Sequence, residues 1–281
     1  MTGARGVAWG DFEFVRGLVK RHAAISLDDS KRYLVAARLL PLARQHGMAD
    51  VGRLVARLRS TPFGDLHVRA VEAIATTETS FLRDLHPFHA LRDHVLPELV
   101  RRRRESRTLV IWSAACSSGQ EPYSVAMLIR EHFPQLLDWN LQILASDLSR
   151  PMVERGREGV YQQHEVNRGL PARWLIRHFT QDGGAWRAKP ELRSMVRFFT
   201  HNVARDWSAV PPVDLLLLRN VLIYFDIDDR RRILARVRRH LRRDGYLLLG
   251  SAETTLNLDE RFSRARIDRA VFYRPTEGSG A

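Results

Sequence analysis

Apolar positions over the first quarter of the chain recur at three- and four-residue intervals, and no strand-like run appears among them. Phe14, Leu18 and Val19 make one stripe, and Tyr33, Leu34, Ala37 and Leu40 a second. Val51, Leu54, Val55 and Leu58 make a third, and Val68, Val71 and Ala75 a fourth. This spacing sets each group on one face of a helix. Gly47 and Thr61-Pro62-Phe63-Gly64 mark turns between them. The pattern predicts a small all-α domain over residues 1–75.

Near Thr76 the texture changes, and short β-rich apolar runs begin to alternate with helical stretches. The runs are Leu109–Trp112, Leu141–Ala145, Val196–Phe199, Val213–Leu218, Tyr246–Leu249 and Ala270–Tyr273. Helical spacing lies between them at Tyr123–His132, Met152–Arg157 and Arg230–Arg243, the last with Ile233, Leu234, Val237 and Leu241 as its buried stripe. Strands that do not alternate and are separated by helices indicate a mostly parallel sheet covered on both faces, so residues 76–281 read as an α/β domain. Asp182-Gly183-Gly184, between Phe179 and Trp186, predicts a small β-hairpin excursion within about 179–199.

Composition narrows the class. With 281 residues, 44% hydrophobic and 27% charged, the chain is a folded protein and not a low-complexity one. The single cysteine, Cys116, excludes an internal disulfide and a Cys-based zinc cage, and the 11 His show no paired ligand spacing, so no metal is expected. Nowhere do eighteen apolar residues run together, and Met1–Gly10 holds no apolar core with a cleavage site. A cytoplasmic location without membrane insertion is expected. The formal charge of +13 predicts attraction to something acidic, with Arg clustered at Arg101–Arg104 and through Arg230–Arg243. Aromatic residues do not interleave with these clusters, and no zinc-finger, RNP or basic-zipper pattern occurs, so nucleic acid is not the expected partner.

In a parallel sheet, ligands sit beyond the C-terminal strand ends where the strand order switches. The first strand runs into Ser113-Ala114-Ala115-Cys116-Ser117-Ser118-Gly119-Gln120-Glu121-Pro122, small residues that let a ligand approach the backbone at a helix start. The run has neither the Gly-x-Gly-x-x-Gly spacing of a dinucleotide fold nor the Gly-Lys-Ser/Thr of a phosphate loop, which disfavours NAD and ATP. Asp147 ends the second strand, where a carboxylate serves either as a ribose ligand or as a helix cap. The fourth run ends in Arg219-Asn220-Val221-Leu222-Ile223-Tyr224-Phe225-Asp226. Asn220 there offers a donor and an acceptor and Tyr224 a hydroxyl, unless Asn220 only terminates the strand and Tyr224 packs in the core. Cys116, with no histidine nearby in a helix, is a poor nucleophile.

Taken together, Thr76-Thr77-Glu78-Thr79-Ser80-Phe81-Leu82-Arg83-Asp84, Ser117-Ser118-Gly119-Gln120-Glu121-Pro122-Tyr123-Ser124, Asp147 and Arg219–Asp226 closely resemble the CheR-type chemotaxis receptor methyltransferases, in the family's order and spacing. The match runs nearly the whole chain, including the helical N-terminal domain. It implies a Rossmann-like class I S-adenosylmethionine methyltransferase sheet, with a small all-α domain before it and a short β-hairpin subdomain within it. It further implies transfer of a methyl group from S-adenosyl-L-methionine to glutamate side chains of chemoreceptors, leaving S-adenosyl-L-homocysteine. By the same resemblance, Thr77, Thr79 and Arg83 line the cofactor site, Arg83 near the methionyl carboxylate or the incoming substrate. Glu121 holds the methionyl ammonium, Asp147 the ribose, and Asn202 and Val203 the adenine region. Asn220 and Val221 close the site beneath the sulfonium, and Tyr224 lies beside the transferred methyl.

Three departures stand out: the family often has Asn where Thr77 stands, Phe at Leu82 and Glu at Gln120. The first bears on a hydrogen bond to cofactor, and the third leaves Glu121 as the only carboxylate of its loop. The expected partner is the cytoplasmic helical signalling region of a receptor. Lys31, Arg32, Arg38 and Arg44 are expected to steer toward it, the enzyme acting as a monomer. The hairpin is shortened against family members that grip a receptor C-terminal pentapeptide, so no such tether is expected. The rival readings are a methyltransferase on another acceptor such as nucleic acid, and a non-catalytic S-adenosylmethionine-binding scaffold. Against the first, the fourth strand lacks the Asp/Asn-Pro-Pro-Tyr/Phe run of enzymes acting on exocyclic amines.

Overall fold

The computed structural model describes residues 7–276, which divide into two compact units, one of residues 7–76 with 224–229 and one of residues 77–223 with 230–276. The first unit packs the helices Trp9–Ala23, Arg32–Gln45, Val51–Ser60 and Asp65–Ile74. Val51, Leu54, Val55 and Leu58 form the buried face of the third, as their spacing predicts. In the second the buried set is Val35, Leu39, Leu42 and Ala43, and Tyr33 is 70% exposed. Its apolar residues run almost unbroken from Tyr33 to Leu42, so two faces satisfy the same period and packing chooses between them. Phe12 and Val15, not Phe14, complete the buried face of the first helix with Leu18 and Val19.

The segment Tyr224–Asp229 belongs to this unit. Phe225 bridges Ile25, and the Tyr224 carbonyl accepts the N–H of Ser26 at 2.8 Å. Lys20 reaches both Asp226 and Asp229. Of the four cationic residues expected to face a partner, Arg38 donates to the Ile74 carbonyl and to Thr76, and Arg32 donates to the Val7 carbonyl. Lys31 and Arg44 are exposed.

The second unit is built on β1 (Thr108–Ala114), β2 (Asn140–Asp147), β3 (Val160–Gln162), β4 (Phe179–Asp182), β5 (Ala185–Ala188), β6 (Val196–Thr200), β7 (Val213–Leu218), β8 (Leu241–Leu249), β9 (Phe262–Ile267) and β10 (Ala270–Pro275). Seven of these form one sheet in the order β6-β2-β1-β7-β8-β10-β9. All pairs from β6 to β8 are parallel, and β10 is antiparallel to both its neighbours. The chain steps outward from β1 to β2 and β6, then returns to the other side of β1 with β7, so the order switches at β1. The C-terminal ends of β1, β2 and β7 therefore share one edge, where such sheets hold ligands.

Every residue of β7 is buried, including Asp214. That carboxylate accepts the Val110 N–H at 2.8 Å and pairs with Arg103, which also forks onto Asp244. Part of the arginine excess thus neutralises acids within the fold. Leu241 opens β8 instead of closing the helix Ile227–His240, with an irregular register between β7 and β8.

The hairpin β4–β5 turns through Gly183 (φ +55°) and Gly184 (φ +88°), the left-handed pair that a two-residue turn requires. Val160–Gln162 adds a third strand to it, giving the order β3-β5-β4, while Val196–Thr200 belongs to the large sheet.

Candidate functional site

The loop after β1 is held in a conformation few sequences tolerate. Ala115 and Ser117 have φ of +58° and +52°, and Gly119 has +93°. A Cβ on Gly119 would stand 2.8 Å from the Phe198 ring, so this glycine is required by space as well as by φ. The turn brings Glu121, in the first turn of the helix Gln120–His132, beneath the sheet edge. Its carboxylate accepts from Ser113 Oγ at 2.7 Å and from Arg219 at 3.0 Å.

Arg219 is the hub of the site. Its side chain is 2% exposed, and besides Glu121 it donates to the carbonyl of Arg83 (3.0 Å) and the carboxylate of Asp84 (2.7 Å). The Ser80–Asp84 segment is thereby tied to the end of β7. The backbone from Leu82 to Leu85 is strained, with φ of +46° at Leu82, +68° at Asp84 and +44° at Leu85. Ser124 Oγ accepts the Leu82 N–H, which fixes the turn from below. The Arg83 side chain is half-buried and donates to the Glu78 carbonyl at 3.3 Å.

Asp147 joins two loops: Oδ2 accepts the Ser117 N–H at 2.8 Å and Oδ1 the Ser149 N–H at 2.9 Å. The Ser149 bond is a turn contact before the helix Arg150–Glu158, whose N-cap is Ser149 and not Asp147, and the Ser117 bond ties the carboxylate to the β1 loop. Ser117 Oγ donates to the Thr77 carbonyl at 2.5 Å. Thr79 lies two residues on in the same extended segment, partly exposed. The Asp147 carbonyl accepts the N–H of His201, so the turn carrying Asn202 and the buried Val203 starts against the end of β2. Asn202 Oδ1 accepts the Ala204 N–H, and Trp207 Nε1 donates to the Val203 carbonyl.

Asn220 sits at φ +56° after β7. A residue to which the sequence pattern gave no role, Glu253, holds it there. The buried Glu253 carboxylate accepts four main-chain N–H groups, those of Asn220, Val221, Leu222 and Gly250, at 2.7–2.9 Å. Its signal in the sequence is slight, one acid among the small polar residues that follow β8. Arg219 stood inside the quoted motif but had no assigned part. The structure brings Thr77, Arg83, Glu121, Asp147, Asn202, Val203, Asn220 and Val221 to one edge of the second unit, and it places Tyr224 in the first. Cys116 is buried, and that burial, with Asp147 and Glu121 nearby, pushes its thiol well above the ordinary range.

The donor set fits a nucleoside that carries an ammonium and a diol. Each oxygen of Glu121 has one protein donor described above and lone-pair capacity beyond it, and Asp147 stands at the end of β2 with its carboxylate against the β1 loop. Asn220 Oδ1 is buried and, among the described residues, meets no hydrogen-bond partner. A sheet of this order with an acid after β1 and another at the end of β2 is the framework of the class I S-adenosylmethionine-dependent methyltransferases. Within that class, residues 77–271 match the family model of the CheR methyltransferase SAM binding domain, and residues 10–75 match that of the CheR methyltransferase all-alpha domain. The chain is 38% identical over 269 residues to the chemotaxis protein methyltransferase Cher2 of Pseudomonas putida, spanning 94% of this chain and 97% of that one. It is 39% identical over 268 residues to chemotaxis protein methyltransferase 1 of Pseudomonas aeruginosa, spanning 94% and 97%. The Escherichia coli chemotaxis protein methyltransferase is 32% identical over 268 residues, spanning 94% and 91%. The chain belongs to the CheR methyltransferase family, the S-adenosylmethionine-dependent chemotaxis protein methyltransferases. Among the described residues no helix is long and apolar enough to cross a membrane.

Proposed function

We propose that this enzyme methylates glutamate side-chain carboxylates of chemotaxis receptors, giving glutamate methyl esters in the cytoplasm as part of chemosensory adaptation. The observation that carries the reading is the hub at Arg219, which joins the Glu121 carboxylate to the backbone of the Arg83–Asp84 turn, so the residues assigned to cofactor and to substrate share one frame. S-adenosylmethionine, when bound, supplies an electrophilic methyl on a sulfonium. Glu121 takes its ammonium and Asp147 its ribose hydroxyls, with Thr77 and Thr79 on the linker side. Asn202 and Val203 border the adenine, and Asn220 and Val221 close the floor.

A glutamate acceptor is ionised at neutral pH, so no general base is needed, which agrees with a site that offers no nucleophile or acid–base pair. The protein's task is alignment and exclusion of water. Arg83 orients the acceptor carboxylate through a two-pronged hydrogen bond. The exposed Lys31 and Arg44 guide the acidic receptor helices to the enzyme without a pentapeptide tether.

The experiment is to incubate the enzyme with methyl-labelled S-adenosylmethionine and receptor-bearing membranes, then treat with alkali. Label released as methanol marks glutamyl esters. Label that stays bound after alkali identifies another acceptor and overturns the reading.

A further inference from the structure

Beside the Glu121–Arg219 site a second hollow of about 390 Å³ opens along β8 and β10. Its inner wall is Arg219 with Asp84, its floor the residues that follow β8, including Gly250 and Glu253, and its outer wall Arg264 and Arg269. The two acids in that lining are already engaged within the fold. Asp84 pairs with Arg219, and Glu253 is taken up by four main-chain N–H groups. Arg264 and Arg269 are not: both are exposed, and among the described residues neither guanidinium has a hydrogen bond or a carboxylate partner. Arg103, Arg155 and Arg261 of the same unit each pair with an acid, whereas Arg264 and Arg269 face the hollow without one. The net character of the hollow is therefore cationic, with two planar forks that suit carboxylates.

Position decides what those carboxylates belong to. The Arg219 side chain that lines the hollow also donates to the main-chain carbonyl of Arg83, and the next residue, Asp84, lines the hollow itself, so the groove adjoins the turn that carries Arg83. We propose that this groove is a subsite for acidic side chains flanking the modified glutamate, an interaction surface for the acidic segment of the protein substrate. The proposal rests on the glutamate-acceptor reading above and assigns specificity to Arg264 and Arg269.

The test compares wild type, the double reversal R264E/R269E, the milder R264Q/R269Q, and R101E/R104E, which changes net charge equally at the opposite strand edge. Base-labile methyl ester formation on receptor-bearing membranes is followed at low and high salt, and S-adenosylhomocysteine binding by calorimetry. R264E/R269E is expected to lose at least about tenfold in kcat/KM at low salt, with less loss in the Gln pair. The gap narrows as salt rises, because screening weakens exposed charge pairs. S-adenosylhomocysteine affinity stays at the wild-type value in both, and R101E/R104E stays near wild type in turnover. Unchanged kcat/KM in R264E/R269E overturns the proposal, as does an equal loss in R101E/R104E or a parallel loss of S-adenosylhomocysteine affinity. Absence of base-labile ester with wild type is a separate result, read before any variant, and removes the acceptor reading itself.

Discussion

Glu253 Oε2 accepts the main-chain N–H of Asn220 at 2.7 Å, joining two residues that lie 33 positions apart. With the N–H groups of Val221, Leu222 and Gly250 on the same carboxylate, the left-handed backbone at Asn220 is fixed from below. Gly250 permits the approach, since a Cβ there would stand 2.7 Å from both Asn220 Nδ2 and Glu253 Oε2.

Replacing this carboxylate tests how far the site depends on it. Glu253→Gln turns one acceptor oxygen into a donor that faces N–H groups, so at least one buried donor loses its partner. Hydrogen bonds to charged groups contribute roughly 1.5–3 kcal/mol each, which predicts a loss of about 3 kcal/mol in urea denaturation. S-adenosylhomocysteine affinity should fall with it. A variant that keeps wild-type stability and affinity would show that the loop holds its shape without the carboxylate.

The Arg219–Glu121 pair predicts a strongly non-additive cycle. Removing Arg219 alone, as in Arg219→Met, leaves Glu121 buried without its cation and also frees the Arg83–Asp84 turn, a change of about 3–5 kcal/mol for a buried pair. Glu121→Gln in the Arg219→Met background should recover part of that stability but none of the cofactor binding. Denaturation and calorimetry on the two single variants and the double variant measure the coupling. Additive losses would mean the two residues act independently.

Gly119→Ala places a methyl against Phe198 at a φ of +93°, so both strain and overlap oppose it. The expected cost is about 2–3 kcal/mol, and Phe198→Leu in the same chain should relieve the overlap and leave the φ penalty. Losses of Gly119→Ala and Phe198→Leu that simply add in the double variant would assign the whole Gly119→Ala cost to the backbone.

The large sheet was legible because its central strands are buried on both faces and so read as unbroken apolar runs, Val213–Leu218 most plainly. β9 was not legible for the opposite reason. It is an edge strand, largely exposed, with arginines at 264 and 266 where an apolar run would be sought. Val160–Gln162 is three residues long and carries no period. At the site, Asp147 and Asn220 were singled out because they end strands, and Glu121 because the loop that holds it resembles the family's motif. The carboxylate beneath Asn220 was not, since four main-chain donors leave no trace in sequence. The second helix shows a further limit: where nearly every position is apolar, period alone does not choose the buried face, and the neighbouring helices decide it.

Burial makes His201 a probe of acid stability. Its ring packs edge-on to Trp112, with centroids 5.5 Å apart, and its Nε2 is buried without a hydrogen-bond partner among the described residues. This desolvation lowers its pKa from 6.5 to about 4, with Asp206 pulling it up and His240 pushing it down. The unfolded chain takes up a proton near the ordinary value, while the folded chain does so only near 4. Between those values the unfolded state binds more protons, so stability falls as pH drops from 6.5 toward 4, and above 6.5 the residue contributes no slope. His178, also lowered by burial despite its bond to Glu131, adds a slope of the same sign. It is present in wild type and variant alike, so comparison with His201→Gln isolates the single ring. Thermal unfolding of both proteins across this range should show a steeper fall of Tm on the acid side for wild type. Parallel curves would mean that folding does not lower the His201 pKa.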